Sequence, residues 1–366
     1  MKSVGFLIHS LAIMGGVGSV VNKLANELCK NYNVHIIAIQ DESIYESYSF
    51  APEIQISFLG VKETSLRKQQ LYALPKIKQY IKKNNIDVLF AEGTYSGYIA
   101  AAVRFFSKTK LVFCDHGAFL SQYNDRKTRY IRRIASFLCH YTIVLTERSR
   151  DDYIQYFHMK PSKIQCIYNW IDEEIIESGS RNQYDANSTM ILSAGRFSPE
   201  KGYDLLVEVA KKVLPKHKDW KWYVYGDGET YEEIATKKKE AGLDEQLILP
   251  GAKNNLQQEY LNAAILVLPS RREGMPLVLL EGKGYKIPMV SFDVVSGPKE
   301  IINDGINGFL VKAEDINGMA EAIDDLITDK DLRIKMSNRS YDDIDRFSKE
   351  KITQIWISFI ESIGKK

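Results

Sequence analysis

Two carboxylates, two cations and a histidine draw attention by where they fall in the chain. Glu273 and Glu281 bracket the segment that begins Gly274-Met275-Pro276-Leu277. An apolar run ends near Pro269, and Pro276 suits the first position of a helix, where its missing N–H costs nothing. Glu273 then sits in the loop ahead of that helix, and Glu281 more than one turn inside it. Carboxylates so placed can accept hydrogen bonds from hydroxyls of one ligand at separate points. Arg196 and Lys201 lie in Gly195-Arg196-Phe197-Ser198-Pro199-Glu200-Lys201-Gly202, between a strand and a helix. A planar fork and a compact point charge at a strand mouth suit a diphosphate. His116, in Asp115-His116-Gly117, also follows a strand directly. Most lone histidines are structural, but this position favours a ligand cleft.

Glycines mark two further turns. Met14-Gly15-Gly16-Val17-Gly18-Ser19 separates the first apolar run from a helix. Without side chains Gly15 and Gly16 let the backbone approach a phosphate or sugar, and a helix N-terminus supplies oriented N–H groups. The same residues also make an ordinary tight turn. Gly226-Asp227-Gly228-Glu229 is equally open to both readings. Asp343-Ile344-Asp345 has the form of a metal-binding DxD. It lies in a charged helical stretch and reads as solvated surface, and no metal or other cofactor is expected.

The elements that hold these residues alternate regularly. Val4–His9, Val34–Gln40, Val88–Ala91, Leu111–Cys114 and Tyr141–Leu145 read as buried strands, with helices at Ser19–Lys30, Leu74–Lys83 and Gly97–Phe106. The rhythm restarts at Met190–Ala194, with a helix at Tyr203–Leu214. Further strands fit Trp220–Tyr225, Leu247–Leu249, Ile265–Pro269, Met289–Phe292 and Phe309–Val311. Alternation of this kind predicts an α/β fold of two Rossmann-like, doubly wound domains facing each other across a cleft. The polar segment Asp172–Ser188 marks the boundary.

Composition narrows the classes. The 366 residues are 45% hydrophobic and 26% charged, which excludes a disordered chain. The four cysteines, Cys29, Cys114, Cys139 and Cys166, form no CxxC, which fits free thiols in a reducing compartment. No apolar run is long enough for a transmembrane helix, and His9 and Ser10 interrupt the first one, against an export signal. A cytoplasmic protein is expected. The formal net charge of +2 gives no argument for nucleic acid. Its distribution is uneven: residues 1–170 carry 22 Lys and Arg against 13 Asp and Glu. Arg126, Lys127, Arg129, Arg132 and Arg133 interleave with Tyr123, Tyr130, Ile131, Ile134 and Phe137. Arg67, Lys68, Lys76, Lys78, Lys82 and Lys83 do so with Leu71, Tyr72, Leu74, Ile77, Tyr80 and Ile81. Both read as basic amphipathic helices able to lie on an anionic membrane surface, or as ordinary surface helices with one core face.

Glu273-x7-Glu281, preceded by Gly-Arg-Phe-Ser-x-Glu-Lys-Gly and followed by Asn303-Asp304-Gly305-Ile306-Asn307-Gly308, resembles the family 4 retaining glycosyltransferases of GT-B fold. The resemblance extends over nearly the whole chain, to the members that build bacterial surface polysaccharides. It implies an acceptor-binding domain over residues 1–172 and a nucleotide-sugar domain over 173–347, with a last helix, about 348–366, returning to the first. It implies that Arg196 and Lys201 hold the donor diphosphate, Glu273 the transferred sugar and Glu281 the ribose. Gly15, Gly16, Gly226, Gly274, Met275, Pro276 and Leu277 would line the donor, and His116 would lie near the reacting sugar. The donor implied is a UDP-sugar, with a GDP-sugar as alternative. The acceptor is a glycan, possibly polyprenyl-diphosphate-linked, met peripherally at the inner membrane face. Two departures stand out: Gly282-Lys283 where a small residue and Met are common, and Lys286 where Gly is common. A hydrolase or a UDP-sugar epimerase on the same fold remains the alternative, since paired carboxylates also serve glycosidases.

Overall fold

The computed structural model describes all residues except 13–14, 41–42, 64 and 364–366. It divides into two compact units, residues 1–169 with 352–366, and residues 170–351.

The first unit contains β1 (Ser3–Ile8), β2 (Asn33–Ala38), β3 (Gln55–Phe58), β4 (Val88–Glu92), β5 (Lys110–Asp115), β6 (Tyr141–Val144) and β7 (Ile164–Cys166). They form one parallel sheet in the order β3-β2-β1-β4-β5-β6-β7. The second contains β8 (Met190–Ala194), β9 (Lys221–Tyr225), β10 (Leu247–Gly251), β11 (Ile265–Leu268), β12 (Met289–Asp293) and β13 (Gly308–Lys312). These are ordered β10-β9-β8-β11-β12-β13, again parallel. Both orders are doubly wound, so each sheet has a switch point where the winding reverses. It lies between β1 and β4 in one unit and between β8 and β11 in the other. Ligands of such sheets bind outside the carboxyl ends of the strands at that point.

The central strands are almost wholly buried because helices cover both faces. Every residue of β1 and β11 is buried. Two edge strands, β3 and β7, escape a search for apolar runs because they are short and half-exposed. The helix expected from Leu74 begins at Leu66 and runs through Pro75 to Asn84. Its buried residues Gln69, Ala73, Ile77 and Ile81 recur every fourth position, so one packed face carries the helix past the proline. The helix Gly16–Leu28 is positioned by Val21, Leu24, Ala25 and Leu28 in the same manner.

The last helix, Lys349–Ile363, buries Trp356, Phe359 and Ile360. Trp356 meets Phe90 of β4 edge-on at 5.3 Å, and Phe359 meets Tyr141 of β6 at 5.6 Å. Lys2 pairs with Glu361 at 2.8 Å, joining the two ends of the first unit. Each of the three apolar side chains contributes about 1.5–3 kcal/mol through burial. Within the second unit, the helix Glu173–Arg181 packs against the helix Leu277–Gly284.

Candidate functional site

In the second unit, β8 ends at Ala194 and the chain turns sharply. Gly226 has φ +146°, and a Cβ there would lie 1.9 Å from the Gly195 carbonyl oxygen. Phe197 N–H donates to Asp227 O at 2.9 Å. The turns after β8 and β9 are thus packed backbone on backbone, and Gly226-Asp227-Gly228 is a buttress rather than a free turn. Phe197 is fully buried against Tyr203 and Tyr231, with centroids at 4.6 and 4.9 Å. That anchor leaves Arg196 exposed at the strand mouth, and among the described residues it has no ion-pair partner. Gly202 has φ +67° and approaches Pro269 O so closely that an added Cβ would sit 2.2 Å away. The loop holding Lys201 is therefore pressed onto the end of β11, the neighbouring strand at the switch point.

Lys201 Nζ lies 2.7 Å from Glu273 Oε1, and Ser270 Oγ donates to the same oxygen at 2.6 Å. Glu273 is 9% exposed, and both donors converge on Oε1. Its backbone is fixed as well. Ser296 Oγ donates to Glu273 O at 3.1 Å, and Gly297, at φ +94°, passes so near that a Cβ would meet Gly274 O at 2.6 Å. Arg271 and Arg272 are not free cations here. Arg271 makes a bidentate pair with Asp204 (2.7 and 2.6 Å), and Arg272 pairs with Glu200. The Arg271 hydrogen bond holds the Asp204 carboxyl below its usual range. These pairs brace the Lys201 loop against the Glu273 loop.

Pro276 is the N-cap residue and the helix starts at Leu277, one residue later than the sequence implied. Met275 is buried. Glu281, on the second turn, accepts from the buried Tyr260 hydroxyl at 2.5 Å, and Tyr260 stacks on Tyr285 at 5.1 Å. Burial, then the Glu281 charge, pushes the Tyr260 hydroxyl far above its ordinary pKa, so it remains a donor. The second unit thus brings Arg196, Lys201, Glu273 and Glu281 onto the loops and helix around one switch point.

The departures from the family pattern have physical causes. A Cβ at Gly282 would lie 2.2 Å from Leu266 Cδ2, and one at Gly284 would lie 2.5 Å from Ile175 Cγ2. Both glycines let the Leu277–Gly284 helix press onto its neighbours. Lys286 takes φ 59°, the left-handed conformation that a glycine would adopt freely. Ile287 N–H donates to Gly282 O and Lys286 N–H to Lys283 O, which closes the helix as a Schellman motif. Lys283 is fully buried, and its ammonium meets Asp343 Oδ1 at 2.6 Å. The reading of Asp343-Ile344-Asp345 as solvated surface is corrected there, because Asp343 is the partner of a buried cation. Among the described residues no group of His, Cys, Asp and Glu is arranged to hold a metal ion.

In the first unit, Gly15 and Gly16 are exposed at the start of the first helix, and a Cβ on either would meet nothing within 4 Å. Tyr48 ties the turn down: Gly15 N–H donates to its hydroxyl at 3.0 Å. Met14 lies outside the described residues. His116 follows β5, and its Nε2 is 2.6 Å from Glu92 Oε2. The preceding Asp115 is 2% exposed. It pairs with Arg132, whose Nε lies 2.9 Å from Oδ2 and whose Nη2 donates to Oδ1 at 3.3 Å, and it accepts from Tyr153 OH at 2.7 Å and from Gly117 N–H at 3.2 Å. Arg132, also 2% exposed, is therefore a core residue and not part of the basic face expected for its helix. Burial works against its charge, but Asp115, with Tyr153 and Asp125, more than restores it. The sequence reading missed Glu92, Ser270, Tyr260 and the Arg271–Asp204 brace. Only the place of Glu92 and Ser270 at strand ends signalled them.

Residues 14–175 match the family model described as Glycosyltransferase Family 4, and residues 176–343 match Glycosyl transferases group 1. A Campylobacter jejuni relative is 28% identical, over 98% of this chain and 100% of its own. It is an N-acetylgalactosamine-N,N'-diacetylbacillosaminyl-diphospho-undecaprenol 4-alpha-N-acetylgalactosaminyltransferase. An uncharacterized glycosyltransferase of Haemophilus influenzae is 27% identical over 97% of this chain and 99% of that protein. Among solved structures, sucrose-phosphate synthase from Thermosynechococcus elongatus superposes with a TM-score of 0.86 at 16% identity, covering 99% of both chains. Anabaena HepE, in complex with UDP and glucose, superposes with a TM-score of 0.82 at 18% identity, over 99% of this chain and 100% of its own. The shared architecture is GT-B.

Proposed function

The chain belongs to the family 4 glycosyltransferases, and from that premise we propose that it moves a hexose or N-acetylhexosamine from a UDP-sugar to a glycan acceptor on polyprenyl diphosphate. The transfer retains anomeric configuration and serves assembly of a bacterial surface glycan. The observation that carries the reading is Lys201 on Glu273 at 2.7 Å, beside an exposed Arg196 at a doubly wound switch point. Arg196 and Lys201 take the diphosphate, Glu281 the ribose hydroxyls, and Glu273 Oε2 a hydroxyl of the transferred sugar. As the anomeric C–O bond breaks, positive charge grows on the sugar and negative charge on the departing diphosphate. The two cations and the N-terminus of the Leu277–Gly284 helix stabilise that leaving charge where it develops. An acceptor hydroxyl forms the new C–O bond and gives its proton to the diphosphate oxygen that departs. The name of the C. jejuni relative supports a lipid-linked acceptor.

The acceptor class brings the enzyme to a membrane surface. No helix among the described residues is long and apolar enough to cross a membrane. The helix Arg126–Leu138 instead exposes Arg126, Tyr130, Arg133 and Phe137 in one stripe, with Tyr130 62% and Phe137 80% exposed. Leu71, Tyr72, Phe105 and Phe106 are exposed in the same unit, with Lys78 over the Phe106 ring at 5.1 Å. Basic residues with exposed aromatics suit docking on anionic lipid. Co-sedimentation with anionic but not neutral vesicles is the expected result; equal binding to both contradicts it. The function itself is tested by a nucleotide-sugar panel, then transfer to a synthetic polyprenyl-diphosphate sugar with the product anomer read by NMR. An α-linked product from an α-linked UDP-sugar is expected. Sugar release at the same rate without acceptor contradicts transfer.

A further inference from the structure

Glu92 ends β4 at the switch point of the first unit and is 4% exposed. It occupies the N-cap position of the helix Gly93–Ala101, yet its side chain makes no capping bond. It has no Lys or Arg partner among the described residues, because the buried Arg132 is committed to Asp115 and Gln122. A carboxylate so buried is costly unless paired. The group it meets is His116, Nε2 to Oε2 at 2.6 Å. The loop under that histidine is fixed by Asp115, which is itself held by Arg132, Tyr153 and the Gly117 N–H.

We infer that Glu92 is a positioning residue for His116. It keeps a proton on Nε2 and leaves Nδ1 as the nitrogen that accepts a hydrogen bond from a substrate hydroxyl. This deepens the transferase reading and rests on it. In a neutral imidazole one nitrogen donates and the other accepts, and the partner of one sets the role of the other. Among the described residues no hydrogen bond engages His116 Nδ1, while the side chain is 12% exposed. Glu92 thus does for this imidazole what a buried carboxylate does for the base of a hydrolytic triad: it sets tautomer and aim without touching substrate.

The test uses the full chain labelled with 15N-histidine, with His116→Gln to assign the ring signals. Long-range 1H–15N spectra should show His116 protonated at Nε2 with a bare Nδ1, and a mixed tautomer in Glu92→Ala. Glu92→Ala should lower kcat roughly 10- to 100-fold, the range carried by outer partners of an oriented histidine, with donor KM little changed. Glu92→Gln can still accept through its amide oxygen, so it should recover part of the loss and keeps the test open if the alanine variant folds poorly. A His116 proton on Nδ1, or a Glu92→Ala enzyme with wild-type kcat, overturns the inference. The spectra do not depend on turnover. A chain without transferase activity whose His116 tautomer still follows Glu92 would sink the proposed function and uphold the positioning.

Discussion

The two units share a winding order around the switch point and use charge there in opposite ways. In the second, Arg196 is exposed and Lys201 is 24% exposed, with a single carboxylate to hold the ammonium. In the first, the guanidinium of Arg132 and the carboxylate of Asp115 are 2% and 1% exposed and paired with each other, with Tyr153 donating to the carboxylate and Gln122 accepting from the guanidinium. Partly solvated cations can change partners when an anion arrives. A buried pair cannot, and serves to fix the loop above it. One fold thus carries both partly solvated cations and a fixed support, depending on whether the cation falls on the strand-end loop or on a covering helix.

The largest effect expected is on turnover in the second unit. Glu273→Gln should reduce kcat about 10²- to 10³-fold, as loss of a group aimed at the reacting centre does, while UDP affinity by calorimetry changes little. Equal loss in both would place Glu273 on the nucleotide and break the comparison. Next comes stability. Arg132→Met strands the buried Asp115 charge and should cost about 3–5 kcal/mol in denaturant unfolding. Arg271→Ala removes a partly exposed pair and should cost about 1 kcal/mol or less. Similar costs for the two would remove the distinction between fixed support and brace.

Acid should separate the units further. His35 and His140 in the first unit have pKa values lowered from 6.5, by burial first in both cases. The unfolded chain takes up these protons at a higher pH than the folded one does. Stability therefore falls as pH drops below about 6.5 toward the lower folded values. In the second unit Asp204 is held below its usual 3.8, chiefly by the Arg271 hydrogen bond. Its contribution is complete above 3.8 and is lost only as pH falls through the depressed folded value. Melting followed from neutral to mildly acidic pH should show His35→Gln flattening the first loss, with Arg271→Ala leaving it unchanged. The smallest effect is at Lys286, where glycine should relieve about 1 kcal/mol of left-handed strain, less what the contact with Tyr341 returns (Nζ 4.4 Å from the ring).

The sequence made the second unit more legible than the first. Arg196, Lys201 and Glu273 stand on loops that follow apolar strands and Glu281 on the helix after one, so their places, though not their roles, could be read from position. Edge strands β3 and β7 were not legible because they carry no buried run. Arg132 was misread because a helix pattern does not tell which cation turns inward, and Asp115 lies far away in sequence. Lys283 and Asp343 were hidden for the same reason, 60 positions apart in the numbering. Gly282 and Gly284 make sense only once Leu266 and Ile175 are seen against them.

The central claim is that Arg196 and Lys201 grip a nucleoside diphosphate. Calorimetric titration of wild type, Arg196→Ala and Lys201→Ala with UDP, GDP and uridine tests it directly. The account predicts that UDP binding weakens about tenfold or more in each variant, a loss of about 1.4 kcal/mol, with uridine binding unchanged. Variants that bind UDP as tightly as the wild type would contradict it.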